Sequence, residues 1–225
     1  MSLTTLIPTG LLHILFIIAL INAEVQNCPK DCKCLIPWAV CKEGKLEDLA
    51  EFTDERITAL SLHRYNIGTL ESNSLSALKI PVWKIQITES NLQTVKRDAF
   101  KGLDKLQAIQ LNRNNIKQIE TGAFAGLPEL TTINLQNNQI QTLEPGVFEG
   151  VHLTHLHLDH NLLNSLNPEV FKNVALTTIR DNPLSCDCSL KTVKNILGSK
   201  LNGVTCGSPE NLKNKNWDIL TSLNC

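Results

Sequence analysis

One spaced phrase constrains this chain more than any other feature. Leu106, Ile109, Leu111, Asn114 and Ile116 set an interval pattern that returns at Leu130, Ile133, Leu135, Asn138 and Ile140. It returns again at Leu153, Leu156, Leu158, Asn161 and Leu163, about every 24 residues. A unit this short cannot enclose a core of its own. It buries its apolar side only by stacking on further copies, so a fixed period of this length implies a solenoid. Two earlier copies extend the array: Ile57, Leu60 and Leu62 lead to Ile67, and Val82, Ile85 and Ile87 lead to Leu92. A sixth copy covers roughly Val174 to Leu184. It reads as short by about two residues, and either Val174 or Leu176 starts it.

The alternation inside the phrase predicts a strand. Ile133 and Leu135 fall on one side, while Thr132, Asn134 and Gln136 face the other way. Each strand is too short to stand alone and becomes stable in a parallel sheet with its neighbours. The asparagine in the ninth position carries both donor and acceptor groups, so it can satisfy backbone groups that the bend leaves buried. Asn114, Asn138 and Asn161 hold that position; Tyr65 and Ser90 replace it in the first two copies, which predicts an imperfect ladder at that end. On the return side of successive coils come Phe100, Phe124, Phe148 and Phe171, expected to pack as a column of core rings.

The ends are of a different kind. Residues 1–23 read as a signal peptide. The apolar run Leu11 to Ile21 is short for a membrane span, and Ala23 offers a small residue for cleavage. A retained signal anchor is the competing reading. No later run has membrane length, so the mature chain is expected to be secreted, extracellular and not inserted in a membrane. Eight cysteines form two quartets, Cys28, Cys32, Cys34 and Cys41, then Cys186, Cys188, Cys206 and Cys225, with none between. In an exported chain an even count reads as disulfides, and spacing alone leaves three pairings open within each quartet. Zinc is disfavoured because neither quartet has ribbon spacing.

The net charge is −1, and only six Phe, three Trp and one Tyr are present. No basic, aromatic-interleaved patch appears, so nucleic acid is not an expected partner. No N-glycosylation sequon occurs. There is no nucleophile elbow, no H-E-x-x-H and no phosphate-cradling glycine loop, so the chain is read as no enzyme and no cofactor is expected.

These residues resemble the extracellular leucine-rich repeat family, in the typical subclass seen in Slit, Toll-type ectodomains and variable lymphocyte receptors. The flanks carry the resemblance too. Cys28-Pro29 with Cys32, Cys34 and Cys41 is similar to the family's amino-terminal cap. Asn182-Pro183 with Cys186, Asp187, Cys188, Cys206 and Cys225 is similar to its carboxy-terminal cap. The resemblance implies an α/β fold: a right-handed, horseshoe-shaped solenoid with a concave parallel sheet. It divides the chain into a cap over 24–56, five to six repeats over 57–181 and a second cap over 182–225. It also implies the pairings Cys28–Cys34, Cys32–Cys41, Cys186–Cys206 and Cys188–Cys225. Leu190, Val193, Ile196 and Leu197 have the spacing of a short helix over the end of the core.

The outward residues of the strands form the candidate site. They are Lys84, Gln86 and Thr88; Gln110, Asn112 and Arg113; Thr132, Asn134 and Gln136; and His155, His157 and Asp159. This set is rich in amides and hydroxyls and lightly charged, which suits a protein or glycan surface better than a polyanion. His155, His157 and Asp159 alternate on one strand and form a candidate zinc-ligand set or pH switch, against the simpler reading of a solvated strand. Trp83 and Tyr65 are either binding anchors or packing under the first cap; Trp38 and Trp217 are expected to be structural. The expected function is a secreted protein that binds an extracellular protein, monomeric or weakly dimeric, as ligand, adaptor or decoy in immune, developmental or matrix signalling. The alternative is a structural matrix component that self-associates or binds fibrils.

Overall fold

The computed structural model describes residues 28–225; the expected signal peptide over 1–23 lies outside the described residues. Nine strands form one sheet. In its spatial order these are β1 (Cys32–Leu35), β2 (Trp38–Lys42), β3 (Ala59–His63), β5 (Lys84–Thr88), β7 (Ala108–Gln110), β9 (Thr132–Asn134), β10 (Leu153–His157), β11 (Val174–Thr178) and β13 (Leu201–Asn202). Every neighbour pair is parallel except β1 and β2. Between these strands, β4 (Thr69–Leu70), β6 (Thr94–Val95) and β8 (Gln118–Ile119) make a second small parallel sheet. Near the far end β12 (Leu184–Ser185) pairs with β14 (Cys206–Ser208).

The strand pattern follows from burial. Along β5, Ile85 and Ile87 are fully buried while Lys84, Gln86 and Thr88 are half-exposed. Leu60 and Leu62, Ile109 and Leu111, Ile133 and Leu135, and Leu156 and Leu158 repeat the same inward pair and merge into one core. Each buried aliphatic of this kind contributes roughly 1.5–3 kcal/mol. On the opposite side of the coils Phe100, Phe124 and Phe148 stack with centroids 5.8 Å apart, and Phe171 is also buried.

Each coil leaves its strand through one left-handed residue. Arg64, Glu89, Arg113, Asn137, His160 and Asp181 all have φ between 52° and 60°, a region that non-glycine side chains occupy sparingly. The ninth-position asparagine follows directly and holds the bend. Asn161, for example, donates to the Leu135 carbonyl of the previous coil at 2.9 Å and to Leu158 of its own coil at 3.1 Å. Its carbonyl accepts from the Ile140 N–H at 3.1 Å. Asn114, Asn138 and Asn182 repeat the arrangement. Ser90 performs a reduced version: its hydroxyl accepts from the Tyr65 N–H at 3.1 Å and donates to Thr88 at 2.9 Å.

The sixth copy is not shortened. Val174 pairs in register with Leu153, and Thr177 pairs with Leu156. The phrase therefore starts at Val174 and reaches Asn182 at full length, with Thr177 in an inward position held by an aliphatic elsewhere. The hydroxyl of Thr177 is buried without a hydrogen-bond partner. The missing residues belong instead to the return segment before it. His157 and its register partner Thr178 are 21 residues apart, against 24 for Gln86 and Gln110, and a single 3-10 turn, Pro168–Phe171, makes that return.

Both ends of the core are closed by cystine-bearing segments. Cys28 is bonded to Cys34 and Cys32 to Cys41; Cys186 is bonded to Cys206 and Cys188 to Cys225. The one α-helix among the described residues, α1 (Cys188–Leu197), lies at the second end. Asp187 caps it by accepting from the Leu190 N–H at 3.0 Å. Leu190, Val193 and Leu197 are buried, whereas Ile196, expected on the same face, is 60% exposed. Three buried residues at this spacing already fill the helix's inward stripe, and Ile196 falls outside it.

Candidate functional site

The sheet has one face on the core and one in solvent, and register pairing aligns the outward side chains into rows. One row runs Val40, Ser61, Gln86, Gln110, Asn134, His157, Thr178 and Asn202. A second runs Trp38, Ala59, Lys84, Ala108, Thr132, His155 and Leu176. Eight of the twelve candidate residues thus stand together on this face: Lys84, Gln86, Thr88, Gln110, Thr132, Asn134, His155 and His157. The Gln86 amide donates to Gln110 at 2.5 Å, and His157 Nδ1 lies 3.1 Å from the Thr178 hydroxyl.

The other four sit past the strand ends and differ in kind. Arg113 occupies the left-handed turn, so its side chain leaves the sheet row; the guanidinium is largely exposed and 3.9 Å from Glu89. Glu89 also faces His63 at 3.5 Å and Arg64 at 3.8 Å. Asn112 and Gln136 are half-buried. Asp159 is buried, and both of its oxygens are engaged. One accepts from the Arg180 N–H at 2.7 Å; the other accepts from Gln136 Nε2 at 2.6 Å and from the Thr178 hydroxyl at 2.8 Å. It braces two neighbouring coils and does not present itself to a partner.

That bracing also takes the Asp159 carboxylate away from the two imidazoles with which it was grouped as a candidate zinc-ligand set. The His155 and His157 rings stack with centroids 6.2 Å apart, and Asp159 is turned toward its neighbours. Among the described residues no group of three or more histidine, cysteine, aspartate or glutamate side chains is arranged to hold a metal. Partial burial holds His157 below the ordinary imidazole value; the nearby Asp159 charge pushes the other way, and His155 adds to the lowering.

The aromatic residues divide differently from expectation. Tyr65 is buried against Gly44 beneath the first cap. Burial, reinforced by Asp48 and Asp31, pushes its hydroxyl up to about 12, so it stays a neutral phenol. Trp38 is not interior: its ring lies on the outward face, edge-on to Trp83 at 6.4 Å, with Lys84 Nζ 5.3 Å from its centroid. Trp83 is 38% exposed, while Trp217 is buried in the second cap as expected. The outward face therefore begins earlier than the repeats do, on β1 and β2. The alternation of Cys32, Lys33, Cys34 and Leu35 carries that signal, masked by its cysteines.

A leucine-rich repeat family model matches residues 82–140 and 128–180. Among solved structures, human 5T4 (Wnt-activated inhibitory factor 1, trophoblast glycoprotein) aligns at 19% identity and TM-score 0.46. That alignment covers 88% of this chain and 97% of the other. TLR13, in its complex with ssRNA13, aligns at 23% identity and TM-score 0.58 over 78% of this chain, which spans only 23% of the TLR13 chain. A comparison with curated proteins finds no match.

Proposed function

This is a leucine-rich repeat protein, and from that premise we propose that it is a secreted module that binds an extracellular protein through the outward face of its sheet. One observation carries the reading: successive coils deliver polar side chains in register, from Ser61 through Gln86, Gln110, Asn134 and His157 to Thr178, on a face that no other part of the described chain covers. Such a row offers directional hydrogen bonds spread over many coils, which suits recognition of a protein surface. The cystine-closed ends suit an oxidising, extracellular setting. No helix among the described residues is long and apolar enough to cross a membrane. The chain then acts as a soluble ligand, an adaptor or a decoy in immune, developmental or matrix signalling, by occupying a partner rather than by catalysis.

The test is capture of extracellular proteins by the purified chain and by a variant with Lys84, Gln110, Asn134 and His157 all changed to Glu. A partner held by the first and lost by the second supports the reading. Equal recovery by both moves the interaction to the return side or the caps. Sedimentation separates the matrix alternative: self-association that grows with concentration supports assembly into a structural component.

A further inference from the structure

The polar face ends in a surface of another character. Among the described residues seven large apolar side chains are exposed; three of them, Leu162, Leu176 and Ile196, belong to separate elements. The other four are Leu35 (76% exposed), Ile36 (45%), Val40 (38%) and Trp83 (38%). Leu35, Val40 and Trp83 are contiguous through Trp38: Leu35 pairs in register with Trp38, Val40 follows two residues on along the same strand face, and Trp83 touches the Trp38 ring, while Ile36 lies in the turn between β1 and β2. Isolated exposed apolar residues are ordinary, whereas a gathered patch marks a contact surface.

Charge says what kind of contact. The outward positions of β1, β2, β3 and β5 carry Lys33, Lys42 and Lys84 and no aspartate or glutamate; His63, also outward at the far end of β3, faces Glu89 beyond the end of β5 at 3.5 Å and is not counted with them. Lys84 leans over Trp38, and Lys33 is the register partner of Val40, so the lysines border the aromatic cluster itself. A second copy docking patch to patch would set these lysines against their own counterparts, which is repulsive. An occupant that offers carboxylates around a large apolar side chain meets both features at once. We propose that the amino-terminal end of the sheet is a docking subsite for an acidic peptide segment of a partner protein, with one bulky apolar residue seated against Trp38, Val40 and Trp83. The inference rests on the reading of the outward face as a binding surface and adds a subsite outside the twelve residues singled out from the sequence, apart from the shared Lys84.

The test uses the purified chain and an array of short synthetic peptides in which acidic and large apolar content vary independently. Peptides carrying both features should bind and shift the tryptophan emission, because Trp38 and Trp83 lie at the contact. Leu35→Ser with Val40→Ser, and separately Lys33→Glu with Lys42→Glu, should each weaken that binding roughly tenfold or more with an unchanged melting temperature, since these side chains stand in solvent. Gln110→Glu with Asn134→Glu and His157→Glu should leave it intact. The proposal is overturned if no peptide binds, or if acidic-only, apolar-only and combined peptides bind alike. It is also overturned if the Leu35 and Val40 changes abolish a concentration-dependent dimer, or adsorption to phosphatidylserine vesicles, and leave peptide binding unaltered. Loss of peptide binding in the Gln110, Asn134 and His157 variant alone would sink the subsite and leave the broader function standing.

Discussion

Asn138 Nδ2 donates to the Leu111 carbonyl, 27 residues earlier, at 3.0 Å, and to the Leu135 carbonyl of its own coil at 2.9 Å. Its Oδ1 accepts from the Ile116 N–H at 3.0 Å. One side chain thus satisfies backbone groups in two consecutive coils where water does not reach.

Asn138→Ala removes these bonds and leaves the buried Ile116 N–H without its acceptor, while the Leu111 and Leu135 carbonyls keep only Asn114 and Asn161 as side-chain donors. It should lower the free energy of unfolding by about 3 kcal/mol, measured by urea denaturation. Ser90→Ala should cost about 1 kcal/mol, because Ser90 reaches the preceding coil through one bond only. Equal losses at the two positions would refute this hierarchy.

Thr177 gives a prediction of opposite sign. Its hydroxyl is buried and unpartnered in a position that Leu156 fills in the neighbouring coil. Thr177→Val keeps the shape and removes the desolvated hydroxyl, so it should stabilise the chain by about 1 kcal/mol. A lower melting temperature for the variant would contradict this.

Asp159 and Arg113 entered the candidate site as equals and should behave differently. Asp159→Ala frees the Arg180 N–H, Gln136 and Thr178 at once and should cost about 2 kcal/mol of stability. Arg113→Ala, on an exposed turn, should stay within about 0.5 kcal/mol. Thermal unfolding of both variants at neutral pH checks the contrast.

The fold holds His157 below its ordinary value of 6.5, chiefly through burial. The unfolded chain then binds the proton more readily than the native one, so stability rises with pH wherever that difference exists. The contribution is present above pH 6.5 and is lost as the pH falls from there through the lowered native value. Melting temperatures recorded from neutral to acid pH should show this loss, and His157→Gln should remove the component. An identical pH profile for variant and native chain would rule it out.

The solenoid was legible because its signal is additive: every coil repeats the inward pair that ends in Ile87, Leu111, Leu135 or Leu158, and the period survives any single substitution. What escaped was decided by one residue in one place. Thr177 looked like a deletion because a hydroxyl stood where an aliphatic was expected, and only the register with Leu156 restored the count. Asp159 looked outward by alternation, but the strand ends before it, and alternation predicts nothing beyond a strand end. Tyr65 took the second of its two expected places, under the first cap, while Trp38 came to the outward face, because the depth of a large ring depends on what the cap places above it, and local sequence carries no record of that.

The handover made by Asn114, Asn138, Asn161 and Asn182 has an evolutionary consequence. A coil that takes its backbone partners only from the coil before and the coil after can be duplicated in place, and the new copy inherits suitable neighbours on both sides. Neither terminus has to adapt. The footprint on a partner can therefore lengthen through tandem gene duplication in steps of one strand spacing, about 4.8 Å, while the chemistry at its amino-terminal margin stays fixed.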